Sequence, residues 1–337
     1  MVAMDNLTHT LVGVLLARAG LNRMARRATW LAVVAANLPD IDVLAGLGGT
    51  LPYIEAHRGW THALAAAPLL AALALPLWWL AARPVGRGEW AKAYAMALVC
   101  VLSHLGLDAL NGYGLRWGLP FSSAWLHLDV LAIFDLWLWA LLGVCVLGPL
   151  LGRLVSGEMG ARDSSGRGMA WAGLVLMVVY IGARTQLHGA ALEALNSRVY
   201  QGEPARRVLA LPSAAVPWRW TGLVETARAW RMVPVDLTRD YDPEAGRVYF
   251  QAEAAPARSV VARSRTGRAW LGFAVAPLWR TTPAPAAPGA LEVTLTDLRF
   301  GAPGQAPFEA RFTLSAEGRV LEERIGWGAE RESTRNK

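Results

Sequence analysis

The feature that most constrains this chain is a series of long apolar segments that carry histidines and aspartates at their ends. Six can be marked, at 6–19, 29–47, 62–82, 90–110, 130–152 and 169–187. The last four approach the roughly 20 residues a helix needs to cross a bilayer. The first is short. The second is interrupted by Asn37-Leu38-Pro39-Asp40-Ile41-Asp42, where Pro39 removes a backbone donor and disfavours helix at Leu38. Ionisable groups at membrane depth are costly and mark function by default.

Charge is distributed unevenly. Of 33 Lys/Arg and 26 Asp/Glu, residues 1–189 hold 13 and 10, leaving 20 and 16 for the shorter remainder. That division predicts a helical polytopic membrane domain over 1–189, with about five to six membrane segments. A soluble β-rich domain over 190–330 follows, then a disordered charged tail at 331–337. The net charge of +7 reads as positive loops that orient a membrane protein. No basic block with interleaved aromatics is present, so nucleic acid is not expected as a partner. Cys100 and Cys145 fall inside apolar runs and read as small buried hydrophobes.

Arginines in the short loops give an orientation. Arg23, Arg26 and Arg27 follow segment one, Arg83 and Arg87 follow segment three, and Arg153, Arg162 and Arg167 follow segment five. The alternate loops carry only Arg58 and Arg116. Basic loops inside place the N-terminus, loops 48–61 and 111–129, and everything beyond 188 on the outer side. His9, His57, His62, His104 and His127 then gather at one membrane face, with Asp40, Asp42, Asp108 and Asp129 among them. His188 ends segment six on the same side.

The spacings carry chemistry. His104 and Asp108 are four apart on a predicted helix and so share a face, as two ligands of one metal do, or a ligand and its orienting carboxylate. His57 and His62 are five apart, which on one helix would turn them about 140° from each other. His57 is therefore expected to precede a helix that His62 begins, with Thr61 as its N-cap and Gly59 at the turn. Arg58 beside them suits an anionic group of substrate. Asp40 and Asp42, read as extended chain, would face the same way and repel unless a cation neutralises them. Asp5 is a candidate cap for segment one. Asp135, deeper in segment five, is a candidate partner for one of the histidines.

The ligand pool for a divalent metal is thus His9, Asp40, His57, His62, His104 and Asp108. Asp42 or Asp129 would serve as general base or orienter. Imidazole and carboxylate without thiolate suit zinc, with manganese or iron as alternatives. The expected chemistry is a metal-activated water attacking an ester or phosphoester, and a site at bilayer depth favours a lipid or lipid-linked substrate. A metal or ion transporter and a non-catalytic membrane scaffold are the competing classes.

Four motifs in order carry a family resemblance: Thr8-His9-Thr10, Asn37-Leu38-Pro39-Asp40-Ile41-Asp42, His57-Arg58-Gly59-Trp60-Thr61-His62 and Ser103-His104-Leu105-Gly106-Leu107-Asp108. Together they resemble the bacterial and archaeal membrane-bound, predicted metal-dependent hydrolases (YdjM-like, LexA-regulated in some members). The resemblance implies a multi-pass inner-membrane protein and a hydrolase. A more distant similarity, through His104 and Asp108, is to zinc-dependent phospholipase C. The chain departs from that family in lacking its N-terminal Trp ligand and a helical His-x-x-x-Glu.

From about 190 the pattern alternates. Strands are expected at Trp218–Glu225, Ala229–Leu237, Arg247–Ala252, Ala269–Ala276, Leu291–Leu298, Phe308–Leu314 and Arg319–Ile325, separated by Pro- and Gly-bearing turns.

Overall fold

The computed structural model describes residues 5–83, 86–159, 166–252, 255–284 and 288–326. The tail expected to be disordered, 331–337, lies outside the described residues.

The chain opens with α1 (Asn6–Ala19), whose first turn is capped by Asp5 Oδ1 accepting the Thr8 N–H at 3.0 Å. Such a cap is worth about 1 kcal/mol. Next come α2 (Ala28–Asn37), a tight three-residue-per-turn stretch over Leu38–Gly48, and α3 (Thr50–Ala56). They are followed by α4 (Ala67–Ala82), α5 (Arg87–Ala109), α6 (Leu136–Met159) and α7 (Arg167–Asn196). Among the described residues, four stretches are long and apolar enough to cross a membrane: Ala28–Gly48, Leu64–Ala82, Gly88–Ala109 and Arg167–Asn196. A shorter apolar run, Leu136–Gly152, lies in α6, and α1 has 14 residues. Small side chains set the packing of α2, α4 and α5. Ala32, Ala35, Ala36, Ala67, Ala71, Ala74, Ala93 and Ala97 are all buried together, which lets backbones approach closely where lipid offers no hydrophobic driving force.

Segment five starts later than its hydropathy suggests. Asp135 accepts the Leu138 N–H on its side chain and the Trp139 N–H on its carbonyl, both at 3.0 Å, and so opens α6 at Leu136. Its other contact is the Tyr180 hydroxyl, donated at 2.8 Å. The expected pairing of Asp135 with a histidine is replaced by this capping role.

Beyond α7 the chain forms a short ribbon, β1 (Val199–Tyr200) with β2 (Glu203–Pro204), and then two antiparallel meanders. The first runs β3 (Arg207–Pro212), β4 (Arg219–Glu225), β5 (Ala229–Asp236) and β6 (Arg247–Phe250) in spatial order. After α8 (Ala255–Arg263) and α9 (Arg265–Phe273), the second runs β7 (Pro277–Pro283), β8 (Leu291–Asp297), β9 (Glu309–Leu314) and β10 (Val320–Gly326). Six of the seven expected strands fall on β4, β5, β6, β8, β9 and β10. The seventh, Ala269–Ala276, is a correction: its first five residues belong to α9. Ser264 accepts the Gly267 N–H at 3.0 Å and starts that helix, and Trp270 and Phe273, three apart, are both buried on its inner face.

Two apolar contacts join sheets to helices. Ala191 and Leu195 of α7 pack with Tyr200, Trp220 and Val233. Tyr53, Ile54 and Tyr113 pack with Trp270, Phe273, Phe308 and Phe312. The second meander therefore sits over α3 and the start of the α5–α6 loop, next to the polar residues the sequence singled out.

Candidate metal centre

Three chain segments bring the ligands together. Pro39 ends α2, and the tight turn that follows carries Asp40 and Asp42. In a three-residue turn, positions two apart diverge by about 120°, so the two carboxylates do not face one way as an extended chain would have them. They bracket one imidazole instead. Asp40 Oδ1 lies 3.3 Å from His62 Nε2, and Asp42 Oδ2 lies 3.2 Å from His62 Nδ1. His62 sits in a short turn, Trp60–His62, and α4 begins only at Ala67. Thr61 is therefore not a helix cap; its hydroxyl donates to Asp42 Oδ2 at 2.6 Å. His57 precedes the turn, as its spacing implies, and donates from Nδ1 to Asp42 Oδ1 at 2.8 Å. The last turns of α5 supply His104 and Asp108.

Asp40, His62, His104 and Asp108, all buried, offer four ligand atoms within 4.8 Å of one another. His62 Nε2 and His104 Nε2 are 3.2 Å apart. Asp108 Oδ2 is 3.2 Å from each of them, and Asp40 Oδ1 is 3.5 Å from His104 Nε2. Ligands about 2.0–2.1 Å from a zinc ion lie about 3.3–3.4 Å apart at tetrahedral angles, so these edges have the right length for a metal. The tautomers agree. His104 Nδ1–H donates to the Ala36 carbonyl at 2.7 Å, and His62 Nδ1 faces Asp42 and Thr61. Both Nε2 lone pairs are left pointing at the same spot, each oriented by an outer partner as metal-ligating histidines usually are. Asp40 Oδ1 and Asp108 Oδ2, buried there, accept no hydrogen bond. The residues fit a divalent ion.

The other expected ligands stand beside this set. His9 stacks on His104 with ring centroids 3.8 Å apart, and its Nε2 is 3.4 Å from Asp108 Oδ1. His57 stacks on Tyr53 with its centroid 6.0 Å from that of His62. Burial lowers the His57 pKa from the ordinary histidine value against the pull of Asp42.

Arg58 has a left-handed backbone, φ 53°, that turns its side chain inward. It donates from Nη2 to Asp108 Oδ1 and from Nη1 to Asn111 Oδ1, both at 2.9 Å, beneath the Tyr113 ring. Both terminal nitrogens are thus engaged by the protein, and the role this geometry supports is holding Asp108 in place of meeting a substrate anion. Asp129 pairs with His127 at 3.0 Å and is not brought to the four ligand atoms. His188 packs against Trp220.

Several partners escaped the sequence. Asn6 donates to Asp40 Oδ2 at 3.2 Å, Asn111 receives Arg58, and Tyr113 meets His57 edge-on. Asn111, three residues past Asp108 at the end of an apolar helix, carried the one usable signal.

A family model described as YfhP C-terminal alpha/beta plait domain matches residues 256–337. The Bacillus subtilis (strain 168) protein described as "Uncharacterized protein YfhP" is 29% identical over 140 residues, 39% of this chain and 42% of that protein. The match therefore spans under half the length of this relative. No solved structure matches the chain. The likeness to zinc-dependent phospholipase C gains no support from these comparisons. A model described as YdjM inner membrane protein matches residues 4–191, more than half the chain and all four candidate ligands, and the chain belongs to the YdjM inner membrane protein family.

Proposed function

We propose that this protein is a membrane-embedded, metal-dependent hydrolase acting on an ester or phosphoester of a lipid or lipid-linked substrate. The observation that carries the proposal is the pair of Nε2 atoms 3.2 Å apart, each with its other nitrogen committed elsewhere, flanked by two carboxylate oxygens that accept no hydrogen bond. Asp40, His62, His104 and Asp108 would hold the ion, with zinc the first choice and manganese or iron the alternatives. A divalent ion supplies Lewis acidity, which brings the pKa of a water near neutrality and polarises a carbonyl or phosphoryl oxygen. Asp42 orients His62 and His57 together. His57, its Nδ1–H fixed on Asp42, would keep Nε2 as a proton acceptor. Arg58 satisfies Asp108 Oδ1 and occupies the place where a second cation would sit, which favours one ion per chain. Ile41, Leu44, Leu47 and Trp60 are exposed beside the buried ligands and suit acyl chains. The bias of arginines among the loops supports an extracytoplasmic position for this face and for the C-terminal region over it.

The four ligands also allow a second reading. All come from the protein and all are buried, and a closed four-coordinate shell is typical of structural sites. The ion would then fasten α2, α4 and α5 in a non-catalytic scaffold. Elemental analysis of the purified full chain beside a His62→Ala/His104→Ala variant tests the site. About one metal per chain, lost in the variant, is expected; equal metal in both ends the ligand assignment. Metal-loaded protein is then assayed on phosphomonoester, phosphodiester and carboxylester lipids in vesicles. Cleavage of one class that the variant lacks supports the hydrolase, and no cleavage of any leaves the scaffold.

A further inference from the structure

One buried side chain of the C-terminal region hydrogen-bonds to the backbone beside the metal centre. Arg299 lies just past β8, and its side chain is 1% exposed. Its five N–H donors all find acceptors. Nε and Nη2 bind Asp297 Oδ2 at 2.9 and 2.8 Å, and Nη2 also binds the Phe273 carbonyl at 2.9 Å. Nη1 crosses to the helical region and binds the carbonyls of Gly112 and Tyr113 at 2.8 and 3.3 Å. The guanidinium lies over the rings of Phe273 and Phe300, which bury this fork.

Those two carbonyls are not arbitrary. A peptide unit is planar, so fixing its carbonyl fixes the N–H of the next residue. The N–H groups of the same two units belong to Tyr113 and Gly114, and both donate to Asn111 Oδ1, at 3.0 and 3.4 Å. Asn111 Oδ1 in turn receives Arg58 Nη1 at 2.9 Å, and Arg58 Nη2 holds Asp108 Oδ1 at 2.9 Å. Asp108 Oδ2 is one of the four ligand atoms. The same backbone turn aims the Tyr113 ring at His57, with centroids 5.3 Å apart.

We infer that Arg299 is a positioning residue of the metal centre, through which the C-terminal sheet region sets the orientation of Asp108 by way of Gly112, Tyr113, Asn111 and Arg58. This rests on the metal reading above and extends it to a residue 191 positions away in sequence from Asp108. Another polar bridge between the regions, Arg265 to Glu55, is exposed and serves as the control.

The test uses the full chain in detergent micelles, stripped of metal and titrated with Zn2+ against a chromophoric chelator. Arg299→Lys keeps a cation opposite Asp297 but removes the fork. It should weaken the zinc Kd about 10-fold, as loss of outer-sphere support does, while Arg265→Ala leaves it unchanged. Because the path runs through Asn111, adding Arg299→Lys to Asn111→Ala should weaken zinc no further. A purely structural role would lower the melting temperature of Arg299→Lys and leave its zinc Kd within about 2-fold of wild type, since nothing in the outer sphere had moved. That result, or additive effects in the double variant, overturns the inference. If wild type holds no metal, the metal reading fails, and hydrogen exchange at the Tyr113 and Gly114 amides decides separately. Exchange about 10-fold faster in Arg299→Lys sustains the positioning path as a path; unchanged exchange overturns it.

Discussion

Two regions of this molecule bury charge, and they do it differently. In the sheet region, Asp297 and Arg299 form a pair in which every guanidinium N–H has an acceptor and the carboxylate also receives the backbone N–H groups of Val275, Ala276 and Arg299. In the helical region, Asp40, His62, His104 and Asp108 crowd together with two carboxylate oxygens accepting nothing. A buried charge is tolerable only when paired and hydrogen-bonded. The sheet pair meets that condition with side-chain and backbone partners from the protein itself. The helical cluster could meet it by holding a cation, and the contrast sets a structural ion pair beside a candidate binding site.

The largest effect should come from supplying or removing that cation. Zinc at 1,000 times its Kd stabilises a folded protein by about 4 kcal/mol when it binds only the native state. The thermal midpoint of wild type should therefore rise with added Zn2+ and fall on chelation, and His104→Ala should respond to neither. A variant of the sheet pair that still responds to zinc completes the contrast. If His104→Ala tracks wild type across the titration, the two regions are alike and the cluster is an ordinary polar core.

Next in size is Arg58→Ala. It leaves Asp108 Oδ1 buried with only the long contacts from His9 Nε2 and the Asn111 amide, each at 3.4 Å, and breaking one side of a buried pair costs about 3–5 kcal/mol. Arg58→Lys keeps the charge but cannot reach Asp108 and Asn111 together, so it should recover part of that loss. Unfolding free energies in micelles check both. A loss near zero for Arg58→Ala would mean that Asp108 is neutralised by another group, and the place given to Arg58 would be wrong.

How much of this was legible in the sequence follows from the range of each interaction. The helical region followed from segment length, and the spacing of His104 and Asp108 placed two ligands on one helical face without any tertiary information. All four converging residues were among the six selected. What the sequence hid was geometry set at one residue and contacts across many. Polarity around Pro39 does not reveal whether the chain beyond it is extended or tightly coiled, and that choice decides whether Asp40 and Asp42 share a face. The inward turn of Arg58 depends on one left-handed φ. Arg299 meets Gly112 across 187 residues, a distance no local pattern spans. In the sheet region α9 passed for a strand because a short apolar run of Trp, Leu and Phe fits either period, and only the Ser264 cap decides it.

Gly59→Ala probes the loop that carries Arg58 and His62. A Cβ at this position would come within 2.7 Å of the Ala56 carbonyl oxygen and would also strike the Arg116 guanidinium, which donates to the Glu55 carbonyl. The backbone must shift, at a cost of about 1–3 kcal/mol. The shift moves Arg58 and His62 together, so zinc affinity should fall along with stability. Lost stability at unchanged zinc affinity would show that the loop adapts without disturbing the ligands.

The smallest effect belongs to the exposed bridge between the regions. Arg265 grips Glu55 with two prongs, Nε to Oε1 at 3.0 Å and Nη2 to Oε2 at 2.7 Å, and this hydrogen bonding holds the Glu55 carboxyl below its ordinary range. Because the folded pKa is depressed, the contribution is complete above the unfolded value of about 4.3 and disappears as pH falls through the folded one. Solvent screens it as well. Arg265→Ala should therefore differ slightly from wild type in melting temperature at pH 7, by less in 1 M salt, and by less again as acid protonates Glu55. Arg299→Lys, by contrast, acts through a buried fork, and its deficit should persist in 1 M salt. A salt-insensitive loss in Arg265→Ala would place the exposed bridge in the same class as the buried one, and it could no longer serve as the control for Arg299.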